Sequence, residues 1–214
     1  MRILLALMAG YLLGSVLPAD LLARARGVDI RAMGTHNPGA TNAWRQLGAW
    51  PGLITGAYDC SVGLLSMALA SQLGLAQPWV YLAGFSAVIG HVFPIFFRFR
   101  GGQGMAATTG MLVYGIGVAL SEHLLTAVGM LVLGALAIVV FALTRSASVV
   151  GVVAVPLLVV ELVLSRPDWQ FAVFMSVLAI WIWVVQFGLV REGRLFRLAE
   201  PARQRLGRAR SRLH

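Results

Sequence analysis

Apolar runs long enough to cross a bilayer fill most of this chain, near 3–22, 51–75, 79–97, 106–120, 124–143, 147–164 and 169–190. A helix needs about 20 apolar residues to span a hydrocarbon core of roughly 30 Å. A chain made of such runs has no polar face to give a soluble domain. Composition agrees: only 12% of the residues are charged, 59% are hydrophobic and the mean hydropathy is +0.83, whereas soluble domains carry about a quarter charged residues. The expected fold is an all-α integral membrane protein with seven transmembrane helices. The fourth run, short and rich in Gly and Thr, should be tilted or shielded by its neighbours.

Charge gives the topology. All 17 basic residues are Arg and the formal net charge is +9. They cluster in alternate connections: Arg24, Arg26, Arg31 and Arg45 after the first run, Arg98 and Arg100 after the third, Arg145 after the fifth, and a further set in the tail. The intervening connections hold no Arg, or in the last case Arg166 offset by Asp168. By the positive-inside rule the N-terminus lies outside and the C-terminus is cytoplasmic, with the Arg-bearing loops on the cytoplasmic side. This pattern favours contact with membrane lipids and no nucleic acid. Residues 1–190 then form one membrane domain, and 191–214 a basic amphipathic or disordered tail against anionic lipid. Arg2 with the apolar stretch behind it has the look of a signal peptide. No Ala-x-Ala-like site opens a soluble domain, however, and further spans follow, so it reads as the first transmembrane helix. Trp79 and Trp169 mark helix starts at interface depth. Cys60, the lone cysteine, reads as packing, and Gly115 and Gly117 as sites of close helix approach.

Against this background three polar features stand out. The first is the loop from Asp29 to Arg45, with Thr35, His36, Asn37, Gly39, Thr41 and Asn42. Glycine permits close backbone approach, so N–H groups and hydroxyls there can converge on one anion. The second is Gly101-Gly102-Gln103-Gly104 at the start of the fourth helix, after His91 and Arg98-Phe99-Arg100. A helix N-terminus favours an anion, while His91 taken alone reads as a structural histidine. The third is Asp59, within the second run, where an ionisable group is functional or paired and points into the bundle. No cluster of His, Cys and carboxylates has metal-ligand spacing, so no metal and no cofactor is expected.

These features fall into a sequence of motifs: Gly14-Ser15-x-x-Pro18, Asp29-Ile30-Arg31-x-x-Gly34, Asn37-x-Gly39-Ala40-Thr41-Asn42-x-x-Arg45, Gly90-His91-x-Phe93-Pro94 and Gly101-Gly102-x-Gly104. Together they resemble the bacterial acyl-phosphate-dependent glycerol-3-phosphate acyltransferases, the PlsY family, over residues 10–150. The resemblance implies a seven-helix enzyme of the bacterial inner membrane, with its site facing the cytoplasm. Such an enzyme moves a fatty acyl group from acyl phosphate to the 1-hydroxyl of glycerol 3-phosphate, giving lysophosphatidic acid for phospholipid synthesis. It also implies Thr35, Arg45 and Gln103 as catalytic positions. Asn37, Gly39, Thr41, Asn42, Asp59, His91, Gly101, Gly102, Gly104, Arg145 and Ser148 become substrate-binding positions. Acyl phosphate is a mixed anhydride with a good leaving group, so juxtaposing two anions matters more than activating a nucleophile. Arg45 and Arg145 suit charge neutralisation, and Thr35 and Ser148 hydroxyl contacts.

The chain departs from the family at several positions. Gln103 stands where the family has Lys in Gly-Gly-Lys-Gly, Val62 where a Lys follows the intramembrane Asp, and Thr35-His36 where Ser-Gly is usual. The His and Asn that the family carries near its C-terminus have no counterpart at matching spacing in 186–198. Lysine lost to drift would become Arg, so two neutral replacements read as changes at the site. Two other readings remain open on the sequence. One is a catalytically impaired relative that binds a lipid phosphate or a partner protein. The other is a small-molecule transporter, which the missing internal repeat disfavours.

Overall fold

A computed structural model describes residues 1–121 and, beyond them, residues 135–136, 139, 157, 160, 169–170, 173–174, 176–178 and 180–181. Within residues 1–121 the chain forms six helices: α1 (Arg2–Gly14), α2 (Pro18–Arg24), α3 (Ala40–Leu47), α4 (Ala49–Gln72), α5 (Gln77–Val92) and α6 (Met105–Ser121). The second, third and fourth apolar runs become α4, α5 and α6 to within a few residues. Most of the fifth, sixth and seventh runs, together with Arg145, Ser148 and the tail, lie outside the described residues.

The first run is not one helix. α1 stops at Gly14, Leu17 is extended (φ −115°, ψ 94°) and α2 begins at Pro18, with a bend of 41° between the two. Proline has no N–H and its ring disfavours a helical residue before it, so Leu17 leaves the helix while Pro18 sits comfortably in the first turn of the next. Ser15 closes the break: its Oγ donates to Tyr11 O at 2.8 Å and accepts from Ile95 N at 3.4 Å. α4 and the stretch Gln77–Phe97 are each long and apolar enough to cross a membrane, and the bent α1–α2 pair adds a third candidate. Their outer faces carry exposed Leu4, Leu5, Met8, Ile54, Leu65, Leu82 and Ile89, an apolar surface suited to lipid.

α3 lies within a stretch whose sequence reads as loop throughout. Gly39, extended, starts it, and Gly48, at φ 104°, ends it and leads directly into α4. The turn is tight: a Cβ on Gly52 would lie 2.6 Å from the Trp44 Cβ.

Lipid tails are as apolar as Leu, so helices here gain little by hiding apolar surface from each other, and association rests on close packing through small residues. α1 meets α5 this way. A Cβ on Gly14 would stand 2.0 Å from Ala87 O, and one on Gly90 2.2 Å from Tyr11 O. α4 meets α6 through Gly63, 2.0 Å by the same measure from Ala107 O, and Gly110, 1.9 Å from Cys60 O. Gly117, expected to serve in this way, has nothing within 4 Å. On α6 the close approach falls instead on Gly110, two turns earlier. Met67, Met111, Val88 and Leu178 fill the core between the helices, and Tyr81 stacks on Phe174 with ring centroids 4.1 Å apart.

The α4–α6 contact can be tested with two alanines. Gly63→Ala forces a methyl into backbone and should destabilise by about 1–3 kcal/mol. Gly117→Ala meets nothing and should be neutral, or stabilising by up to about 1 kcal/mol. Thermal unfolding of both variants in one detergent measures the difference, and equal midpoints would sink the packing assignment.

Candidate functional site

The first polar loop is organised by one buried amide. Asn42, on α3 and 1% exposed, donates from Nδ2 to Ile30 O at 3.1 Å and to Met33 O at 3.0 Å, while its Oδ1 accepts from Thr35 N at 3.0 Å. Both donors and the acceptor are thus engaged by loop backbone. Asn42, expected as a substrate contact, is the side chain that shapes the loop. Asp29 begins the fold by accepting from Arg31 N at 2.9 Å, which caps the short 3-10 turn Ile30–Ala32. Gly34 at φ +56° passes so close to Asn42 that a Cβ would lie 2.3 Å from Oδ1, so no other residue fits there.

His36 takes a left-handed conformation, φ 59°, which for a residue other than glycine costs roughly 1–2 kcal/mol. This explains why the family it resembles has glycine at the position. Its Nδ1 lies 2.8 Å from Arg31 O; a carbonyl only accepts, so Nδ1 carries the proton, and this bond offsets part of the strain.

Beyond the loop, α3 presents Thr41 and Arg45, four residues apart on one helical face and both exposed, with Thr35 also exposed nearby in sequence. The first intrahelical bond of α3 runs from Ala43 N to Gly39 O. The N–H groups of Ala40, Thr41 and Asn42 therefore precede the helical ladder, and Gly39 offers no side-chain cap to them.

The second loop spends two of its N–H groups on the end of α5. Gly101 N donates to Val92 O at 3.1 Å and Gly102 N to His91 O at 3.0 Å. Two N–H groups expected to face a phosphate instead close the C-terminus of α5. The glycines are needed for proximity: a Cβ on Gly101 would lie 2.0 Å from His91 O, and one on Gly102 2.5 Å from His91 Nε2. Gly104, at φ +72°, sits against Val88 and Val92, and its carbonyl accepts from Thr108 N and Oγ1 at 2.9 and 2.8 Å. Gln103, half-buried, is the side chain this turn presents.

The two loops meet at Asn37. Its Oδ1 is 3.4 Å from where a Cβ of Gly102 would be, and its Nδ2 3.1 Å from that of Gly39. Behind this junction lie His91, 3% exposed, and Asp59, 2% exposed. Asp59 points into the bundle, as its place in an apolar run requires. Its nearest cationic candidate is His91, Nδ1 to Oδ1 3.7 Å, too long for a hydrogen bond. Arg45 makes no ion pair with it among the described residues. Asp59 Oδ1, His91 Nδ1, Thr55 Oγ1 and Trp181 Nε1 are all buried without a hydrogen-bond partner among the described residues. Thr55 is one turn from Asp59 on α4, and Trp181 Nε1 lies 3.8 Å from the Cβ position of Gly104. Unpartnered buried polar atoms are costly and rare, so Asp59 and His91, with Thr55 one turn away, mark a polar patch inside an apolar bundle, and the glycine turn lies against its His91.

Sequence reasoning passed over Asp20, which is 1% exposed on α2 and pairs with Arg24 and Arg31. The signal was present: Asp20 falls inside the run 3–22, and the rule that singled out Asp59 applies equally to it. Trp181 offers no such signal, because an indole in an apolar run is ordinary.

The chain matches the family model described as "Glycerol-3-phosphate acyltransferase" over residues 4–189. Glycerol-3-phosphate acyltransferase 1 of Deinococcus radiodurans is 42% identical over 183 residues, covering 84% of this chain and 86% of that protein. A glycerol-3-phosphate acyltransferase of Thermus thermophilus is 34% identical over 201 residues, 93% of this chain and 96% of its own. In three dimensions the chain is similar to the crystal structure of PlsY (YgiH), an integral membrane glycerol 3-phosphate acyltransferase, in its glycerol 3-phosphate form. The TM-score is 0.71 with 26% identity, covering 91% of this chain and 94% of the other. The lysophosphatidic acid form gives 0.70 over the same coverage. Matched along nearly its whole length in sequence and in fold, this membrane protein belongs to the glycerol-3-phosphate acyltransferase family.

Proposed function

We propose that the chain transfers a fatty acyl group from acyl phosphate to the 1-hydroxyl of glycerol 3-phosphate, releasing phosphate and lysophosphatidic acid, as an acyltransferase of phospholipid synthesis. The observation that carries this is the junction at Asn37, where the Gly39 loop and the Gly102 turn come together over buried His91 and Asp59. Two substrates that each bear a phosphate need two polar walls facing each other at a membrane surface, and this junction supplies them.

The chemistry asks little of a base. The glycerol oxygen bonds to the acyl carbon, the bond from that carbon to the phosphate oxygen breaks, and the hydroxyl proton leaves on the phosphate as hydrogen phosphate. Holding the two groups together is the larger part of the barrier reduction. In this reading Arg45, with Thr41 on the same face of α3, takes the glycerol phosphate at the unladdered N–H groups of Ala40 and Thr41. Thr35 contributes its hydroxyl. Gln103 places an amide over the acyl phosphate at the start of α6, Arg145 and Ser148 complete the charge and hydroxyl set, and Asn37 holds the two walls in register. Gly101 and Gly102 act through closeness to His91, and Asn42 through the loop. Residues 1–190 carry the reaction in a seven-span inner-membrane domain whose loops at 23–50, 98–105 and 144–146 share the cytoplasmic side with the 191–214 tail.

Three measurements test this. Arg45→Ala should weaken glycerol 3-phosphate binding about ten- to a hundredfold, the loss of roughly 1.5–3 kcal/mol expected for a charge-assisted contact; an unchanged dissociation constant removes Arg45 from the site. Gln103→Lys should raise the rate of acyl transfer, because a mobile cation replaces a neutral donor over the leaving phosphate. Tighter phosphate binding with turnover at background would identify a binding protein instead. For the topology, a cysteine at position 36 on a Cys60-free background should resist an impermeant thiol reagent added outside intact cells, and ready labelling would overturn the shared cytoplasmic side.

A further inference from the structure

Asp20 holds two guanidinium groups at once from a buried position on α2. Arg31 Nη1 is 2.6 Å from Oδ2, and Arg24 reaches Oδ1 with Nε and Oδ2 with Nη2, both at 3.3 Å. Each arginine has a second contact, and both second contacts fall on the same short segment. The Arg24 guanidinium lies 5.3 Å from the centroid of the Phe97 ring, within cation–π range. Arg31 Nη2 donates to Arg100 O.

Phe97 and Arg100 bracket two residues that need holding. Arg98 and Phe99 are both left-handed, at φ 53° and 59°, and neither is glycine. Consecutive non-glycine residues in this region persist only where the surroundings over-determine them. The local bonds are Phe99 N to Pro94 O at 2.9 Å and Arg100 N to Phe97 O at 3.1 Å. Both side chains are exposed, so packing of Arg98 and Phe99 themselves does little to fix the turn. Gly101 follows at once, and with it the glycine turn that abuts His91 and Asn37.

We propose that Asp20, Arg24 and Arg31 form a clamp that holds the Arg98–Phe99 turn in its left-handed conformation and so sets the glycine turn against Asn37. Arg31 is then a positioning residue. Its guanidinium is committed to the Asp20 carboxylate and to the Arg100 carbonyl, so it serves the site through geometry rather than by meeting a phosphate. Arg24 supports the other end of the same turn. The effect on acyl transfer rests on the function proposed above, whereas the effect on the turn does not.

The experiment pairs a substrate-free readout with a kinetic one. Asp20→Asn removes the charge that both arginines share, and Arg31→Lys keeps the charge but loses the second arm. Both should speed cleavage by trypsin after Arg98 and Arg100 at least fivefold in detergent-solubilised protein, while cleavage after Arg45 in the same sample stays within twofold. Both should also lower kcat/KM for glycerol 3-phosphate at least tenfold. Phe99→Gly, placed in either variant, should recover at least half of that loss on a logarithmic scale, because glycine takes the left-handed region freely. A direct phosphate contact by Arg31 would not be rescued in this way. Unaltered cleavage after Arg98 and Arg100 in whichever of the two variants folds, or kinetic loss untouched by Phe99→Gly, overturns the clamp. An inactive parent in which cleavage still responds would support the clamp and refute the function.

Discussion

Close backbone contact between helices is the constraint on which the rest of this structure depends. In lipid there is little to gain by pressing one leucine against another, so α1 meets α5, and α4 meets α6, where glycine lets one helix touch another's carbonyls. α4 and α5 also pack together, and there Asp59 and His91 stand 3.7 Å apart at 2–3% side-chain exposure, while Gly101 and Gly102 lie against the end of α5.

The two loops that meet at Asn37 are shaped by opposite means. The first is built by side-chain hydrogen bonds: Asn42 alone satisfies three backbone groups, and without it the segment from Ile30 to Thr35 would have to find those partners in water. The second is built by omission. Gly101 and Gly102 have no side chains, so their N–H groups reach the last carbonyls of α5 and the turn lies flat against His91. Strain is stored in both, at His36 in one and at Arg98 and Phe99 in the other, and Arg31 touches both, through its own carbonyl to the His36 ring and through its guanidinium to Arg100.

This arrangement changes what the departures from the family pattern mean. Val62, where a lysine would follow Asp59, is 1% exposed and packs within the core cluster. The face of α4 that carries Asp59 therefore turns a polar side toward His91 and an apolar side toward its neighbours. Gln103 follows Gly101 and Gly102, whose N–H groups are engaged by the end of α5, and its half-buried side chain is what the turn presents.

The sequence by itself determined the class of molecule, the positions of α4, α5 and α6, and the two polar segments that meet at Asn37. Those follow from runs of apolar residues and from glycine, threonine and asparagine at fixed spacings, which are properties of neighbours along the chain. It also placed Asp59 inside the bundle, because a carboxyl in lipid has nowhere else to go. Only the tertiary structure decided which atoms of those segments remain available. The break at Leu17, the helix that carries Asn42 and Arg45, and the engagement of Gly101 and Gly102 by α5 all depend on partners that the local pattern does not name. So does the pairing of Asp20 with Arg31, whose second arm reaches Arg100 across 69 positions of sequence. A motif reports that a hydrogen-bonding group is present; whether it meets substrate or backbone is fixed by what the fold brings opposite it.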